Sequence, residues 1–212
     1  QNDEIYQFVD NHKIGVRNSI IVSSIGTIIT SFFLSTNTLL FLGFLGLISI
    51  FYSFRIKEFS LRALPYLKIF LIAFVWASIA VWMPYFQIKP DYVMADYLLY
   101  FAFCVLYILF ITLPFDKSDL TIDQLTGVKT IPALLGEKMI NALLIVLAIV
   151  LCVMAYLLFQ NVLTICLFTL LIIVLLLTSI FIVNRIDKWL VMAIYDGSMI
   201  LFYLIISLFS GF

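Results

Sequence analysis

The chain is short of charge, short of histidine and short of any polar tract. Only 11% of its 212 residues are Asp, Glu, Lys or Arg, while 65% are hydrophobic and 21 are Phe. A soluble domain of this length cannot bury so much apolar surface, so a free-standing globular fold is excluded and the chain belongs in a bilayer. His12 is the only histidine, which rules out a zinc or haem site built on histidines of this chain and leaves His12 an interfacial residue. Three cysteines, Cys104, Cys152 and Cys166, all fall in apolar runs, where they act as small apolar residues against helices or lipid and carry no redox message. Alternating ten-residue apolar segments are missing, which excludes a membrane β-barrel. No soluble domain, low-complexity tract or internal repeat interrupts the chain, and no basic-then-apolar signal sequence opens it. A net charge of zero gives no reason to expect a nucleic-acid partner.

What is present is a series of apolar runs of membrane length. A helical span needs about 20 apolar residues, and seven runs qualify: 16–35, 37–54, 66–86, 92–114, 139–159, 161–183 and 190–211. The reading is therefore an all-α, multi-pass transmembrane helical bundle, residues 1–212 forming a single membrane domain. Seven crossings put Lys13, Arg17, Arg55, Lys57, Arg62, Lys68, Lys117, Lys129, Lys138, Arg185 and Lys188 on one side and only Lys89 on the other. Cytoplasmic loops collect such cations. The N-terminus and the loops 55–68, 115–138 and 184–189 are accordingly expected in the cytoplasm, with the C-terminus outside, in a bacterial inner membrane.

Two of those loops carry chemistry. RIKEFSLRALPYLK, from Arg55 to Lys68, sets four cations against Glu58 and comes after the aromatic span end Phe51-Tyr52-Ser53-Phe54. It reads either as positive-inside retention at the headgroups or as a basic wall for the anionic end of a lipid-like substrate. FDKSDLTIDQLTGVKTIPALLG, from Phe115 to Gly136, holds Asp116, Asp119 and Asp123. On a helix, spacings of three and four residues place these carboxylates on one face. That face repels itself unless it holds a cation, and a hard ion such as Mg²⁺ carrying a polyphosphate suits it. The acids begin right after Pro114, at the mouth of a span, and glycine and proline divide the rest of the segment into a short helix, a turn and a re-entry. Asp96 lies near the outer end of the fourth span and reads as interfacial. Asp196 stands inside the last span, where an acid is a functional or helix-pairing residue, and Gly197 and Ser198 beside it leave close helix packing as the other reading.

The acidic segment resembles the second aspartate-rich motif of the UbiA-type intramembrane prenyltransferases. The pattern reads here as Asp119-Leu-Thr-Ile-Asp123, then Gly127-Val-Lys129-Thr130, Ile131-Pro132 and Leu135-Gly136. Tyr52-Ser53 before the basic loop, the Lys68-Ile-Phe70 run and Asp196-Gly197 agree more loosely. Members of that family have nine spans, so the seven here would be the third to ninth of a UbiA-type fold, with the first two helices and the first motif upstream of Gln1. Asn2, Asp3 and Asp10 match part of that first motif, but Tyr6 stands where its middle Asp belongs. Ser118 occupies a position where relatives often carry Arg, and Tyr52 to Lys57 is one residue longer than the family spacing.

The resemblance implies transfer of an isoprenoid group from a prenyl diphosphate to a hydrophobic, often aromatic, acceptor, with Mg²⁺ stabilising the departing diphosphate. It assigns Asp119, Asp123 and Lys129 to catalysis, and Asp116, Asp119 and Asp123 to the metal. Tyr52, Arg55, Lys57 and Asp196 go to substrate binding, and membrane lipid surrounds the whole. Other function classes fit the composition too. One is a non-catalytic membrane protein keeping the fold. Another is a small transporter or channel in which Asp196 and the acidic loop handle a cation or proton.

Overall fold

A computed structural model describes residues 12–53, 67–88, 94–118, 131–183 and 186–209. Those residues form seven helices and no strand. They are α1 (Lys13–Ser31), α2 (Thr36–Ser53), α3 (Leu67–Ile88), α4 (Met94–Ser118), α5 (Ile131–Leu158), α6 (Val162–Phe181) and α7 (Lys188–Phe209). Helices are the expected outcome, because a backbone surrounded by apolar material must satisfy its own N–H and C=O groups within the segment.

Six of the seven are long and apolar enough to cross a membrane. The seventh, α2, is apolar over Thr36–Tyr52 and is described as far as Ser53. Among the described residues the seven expected spans appear as seven helices, six of them of membrane length.

The helices run back and forth between two ends. At one end Gln87, closing α3, accepts from Ser35 N at 2.8 Å and from the Thr38 hydroxyl at 3.1 Å, and it donates to the Phe33 carbonyl at 3.3 Å. This clasp ties the α1–α2 turn to the end of α3. At the other end an ion pair joins Lys68 to Asp116, and Lys117 reaches Glu137, Asn141 and Ser179. The start of α3, the end of α4, the start of α5 and the end of α6 thus meet at a single end, which is also where the cations of the described residues gather.

Helix α4 is the hub. It packs against α3, α5 and α7, while α2 lies on α3 and α6 bridges α5 and α7. Phe103, Tyr107, Phe110 and Ile111 of α4 are fully buried. Around them Phe103 and Phe168 lie 5.0 Å apart, and Tyr107 stacks on Phe202 at 4.8 Å. Aromatic pairs at such separations pack well without being parallel sandwiches. No residue of α1 is buried, and it stands outside this packing.

Two boundaries bear on the site. The fourth span was expected to end at Pro114, yet α4 continues for one more turn to Ser118. Proline removes one donor and crowds the preceding turn, but membrane helices tolerate it where neighbours tie the backbone down. The ties here are the Lys68–Asp116 and Lys117 contacts, so Asp116 and Lys117 belong to a helix and not to a loop. In α5 the helical geometry breaks at Gly136, with φ 76° and ψ 165°, which separates the turn starting at Ile131 from the span proper.

Candidate functional site

Helices α3 and α7 both pack on α4 but hardly on each other, and a cleft of about 420 Å³ lies between them with α4 as its floor. Ile72 and Trp76 line it from α3, Ile108, Ile111, Thr112 and Phe115 from α4, and Asp196 and Met199 from α7. The periodicity explains the wall. Lys68, Ile72 and Trp76 are four residues apart, as are Ile108, Thr112 and Asp116, so each set forms one stripe along its helix. The two stripes run side by side, and the Lys68–Asp116 pair sits one turn beyond the cleft on both.

In that pair Lys68 Nζ lies 3.0 Å from Asp116 Oδ1. Asp116 is buried at 4% exposure, whereas the Lys68 side chain is one-third exposed. The buried carboxylate is thereby met by a cation whose ammonium still reaches the surface. Thr112 donates to the Ile108 carbonyl at 2.6 Å, so its hydroxyl proton is spent within its own helix. Asp196 is exposed along the cleft, about 12 Å of helix from Lys188, and among the described residues it has no hydrogen-bond or ion-pair partner.

Its neighbours explain how it is held. Ser198 is fully buried and accepts from the Tyr107 hydroxyl at 2.8 Å, and its own hydroxyl donates to the Tyr195 carbonyl at 2.6 Å. Tyr195, also fully buried, donates to the Leu175 carbonyl at 3.1 Å. The residues on both sides of Asp196 and Gly197 therefore lock α7 onto α4 and α6. A Cβ at Gly197 would meet nothing within 4 Å. Among the described residues Gly197 therefore makes no close helix contact, and Ser198 is the small residue of this segment that does.

Of the other residues singled out from sequence, Tyr52 is half-buried near the end of α2 and is not part of the cleft wall. Arg55, Lys57, Asp119, Asp123 and Lys129 lie outside the described residues. Among the described residues no group of three or more His, Cys, Asp or Glu side chains stands close enough to hold a metal. Asp96 is exposed in the first turn of α4, where a carboxylate complements the positive end of the helix dipole, as an interfacial residue would.

Lys117 is inconspicuous in the sequence because a lysine at the end of a span looks like ordinary charge retention. Its ammonium is buried and donates to Asn141 Oδ1 at 3.0 Å and to the Ser179 carbonyl at 2.9 Å, and Glu137 Oε1 lies 3.3 Å away. Three acceptors match its three protons. The only available signal was its place on α4, one residue past Asp116, facing the opposite way from the cleft stripe.

No protein-family model, curated protein or solved structure matches the chain.

Proposed function

We propose that the chain is the membrane core of a Mg²⁺-dependent prenyltransferase of the UbiA type, which moves an isoprenoid group from a prenyl diphosphate to a hydrophobic acceptor. The observation that carries this reading is the continuity of three features along α4. An apolar cleft inside the bundle leads to a buried carboxylate paired with a cation, and the next residues of the chain carry Asp119 and Asp123. A substrate with an apolar tail and an anionic head needs that order of surfaces.

The donors fit the ion. Asp116, Asp119 and Asp123 offer only carboxylate oxygens, the ligands Mg²⁺ prefers, and a few carboxylates leave most of its shell to water and phosphate. When bound, the metal supplies positive charge to the diphosphate as the allylic C–O bond breaks. Lys129, with Arg55 and Lys57, meets the phosphate oxygens as hydrogen-bond donors. Asp116 lies at the head of this acidic run and takes its orientation from Lys68. The reading places the end that carries Lys68, Asp116 and Lys117 in the cytoplasm of a bacterial inner membrane, where prenyl diphosphates are soluble and Mg²⁺ is plentiful.

Binding of farnesyl diphosphate to the protein in lipid nanodiscs, with and without Mg²⁺, tests it. Asp119→Asn and Asp123→Asn are each expected to weaken Mg²⁺-dependent binding at least about tenfold, the scale of one lost charge-assisted contact. Binding that is indifferent to Mg²⁺ and to both substitutions would overturn the assignment.

A further inference from the structure

Two cations hold the turn that carries α4 past Pro114, and they are held in different ways. The Lys117 ammonium is buried and faces Asn141, Ser179 and Glu137, which come from two other helices. Lys68 reaches Asp116 through one oxygen, Oδ1, at 3.0 Å, and one-third of its side chain is open to the surface. The Lys68 ammonium can return to solvent by giving up this contact, whereas Lys117 would have to break a junction of three helices. Asp116 is the group that cannot do without a cation. It is 4% exposed, and an ionised carboxylate taken out of water is costly unless it is paired. It also stands in the last turn of α4, at the negative end of the helix dipole, while Lys68 stands in the first turn of α3, at a positive end. Each charge sits at the end of its helix that repels it, and each is held there by the other.

A hard divalent ion seeks the same carboxylate oxygens. Such an ion on Asp116 and an ammonium 3.0 Å from that carboxylate are two like charges at close quarters in a site largely screened from water, and they repel. We propose that Lys68 is a resident counter-ion, which occupies Asp116 while no divalent cation is bound and has to leave Oδ1 before one binds there. The ion pair is then an autoinhibitory contact that sets how much divalent cation the site needs. Because it lies one turn beyond the cleft on the facing stripes of α3 and α4, its release also unties the first turn of α3 from α4 at the end of the cleft. That the displacing ion is the Mg²⁺ of prenyl transfer rests on the reading above; the competition at Asp116 does not.

The experiment uses the protein in nanodiscs of uncharged lipid, without diphosphate. The probe is Mn²⁺, and loss of its free aqueous electron paramagnetic resonance signal reads binding. Lys68→Met removes the internal cation and is expected to tighten Mn²⁺ binding at least about tenfold, the scale on which one neighbouring unit charge changes the affinity of a carboxylate for a proton. Lys68→Arg keeps the charge and should show no such gain, and adding Asp116→Asn to Lys68→Met should abolish it. Lys68→Met that binds Mn²⁺ no tighter than the unaltered protein overturns the inference, and so does a gain that survives Asp116→Asn. Lys68→Met leaves a buried carboxylate unpaired, so a second measurement keeps the unaltered protein: acetylation of its lysines by a water-soluble ester, mapped with and without Mn²⁺. Acetylation of Lys68 is expected to rise with Mn²⁺ while the buried Lys117 stays unreactive. If Lys68→Met does not fold, this comparison decides alone, and an unchanged rate at Lys68 overturns the inference. Tighter Mn²⁺ binding by Lys68→Met without Mg²⁺-dependent farnesyl diphosphate binding would leave the counter-ion standing and remove prenyl transfer. Mg²⁺-dependent farnesyl diphosphate binding with no effect of Lys68→Met on Mn²⁺ would keep prenyl transfer and remove the counter-ion.

Discussion

Gly136 sits where no other residue is comfortable. Its φ of 76° with ψ of 165° falls in a region that side-chain-bearing residues essentially avoid. Among the described residues the space around it is open, since a Cβ there would meet nothing within 4 Å. The penalty for a side chain is therefore purely one of backbone conformation. Gly136→Ala is expected to destabilise the protein by about 1–3 kcal/mol, read as a lowered midpoint of thermal unfolding in detergent. Gly197→Ala is the informative control. It has the same open surroundings but lies within the helix, where alanine is favoured over glycine by up to about 1 kcal/mol. It should leave the midpoint unchanged or raise it. Equal losses at the two positions would show that the cost arises from something other than the bend.

That bend governs how helices meet at the element scale, because it redirects α5 just before Glu137 and Asn141, the two α5 residues that face Lys117. Lys117 belongs to α4, Asn141 to α5 and Ser179 to α6, so one buried ammonium pins three helices at one end of the bundle. Its partners are unequal. The Glu137 side chain is 55% exposed, and an ion pair open to water is worth about 0–1 kcal/mol. Asn141 is half-buried, and loss of its Oδ1 strands a proton of the buried Lys117 ammonium at a cost of about 1–3 kcal/mol. Asn141→Leu should thus lower the unfolding midpoint clearly more than Glu137→Gln, and a reversed order would mean that the surface charge carries the junction. The pin could not be read from sequence alone, whereas the bend falls in the segment that glycine and proline already divided into a turn and a re-entry. Apolar run length reveals that helices exist and roughly where they lie, since it depends only on composition within each window. It cannot reveal that α4 passes through Pro114 to Ser118, because that extra turn is held by partners 24 and 62 residues away from Lys117. Asp196 was legible, since an acid inside a span is conspicuous on its own. Its setting in the cleft was not, because the wall comes from α3, α4 and α7 together.

At the scale of the whole molecule, the alternation of helices sorts the connections into two sets. The α1–α2 turn and the end of α3 share one end through the Gln87 clasp, and the α5–α6 turn at Phe159–Asn161 falls at that same end by the back-and-forth course of the chain. Lys13, Lys68, Lys117 and Lys138 belong to the other. The sidedness rests on the ion pairs that join α3 to α4 and α4 to α5 at the cationic end, with the Lys117 hydrogen bond to Ser179 adding α6, and only secondarily on counting spans. Under the prenyl-transfer reading, retention of lysine and arginine is expected to place that end in the cytoplasm. Single cysteines placed at Lys138 and at Gln160, both exposed, test the whole arrangement in intact cells. The background is a protein whose Cys104, Cys152 and Cys166 have been changed to Ala. A membrane-impermeant maleimide is expected to label Gln160→Cys from outside and to reach Lys138→Cys only after the membrane is opened. The inverse pattern would keep the bundle and turn it over, moving the acidic run away from cytoplasmic diphosphates and ending the prenyl-transfer reading. Labelling of both from outside would contradict the fold itself, because the stretch of α5 from Lys138 to Leu158, past the bend at Gly136, runs about 30 Å as a helix, about the thickness of the hydrocarbon core that keeps Lys138 and Gln160 on opposite sides.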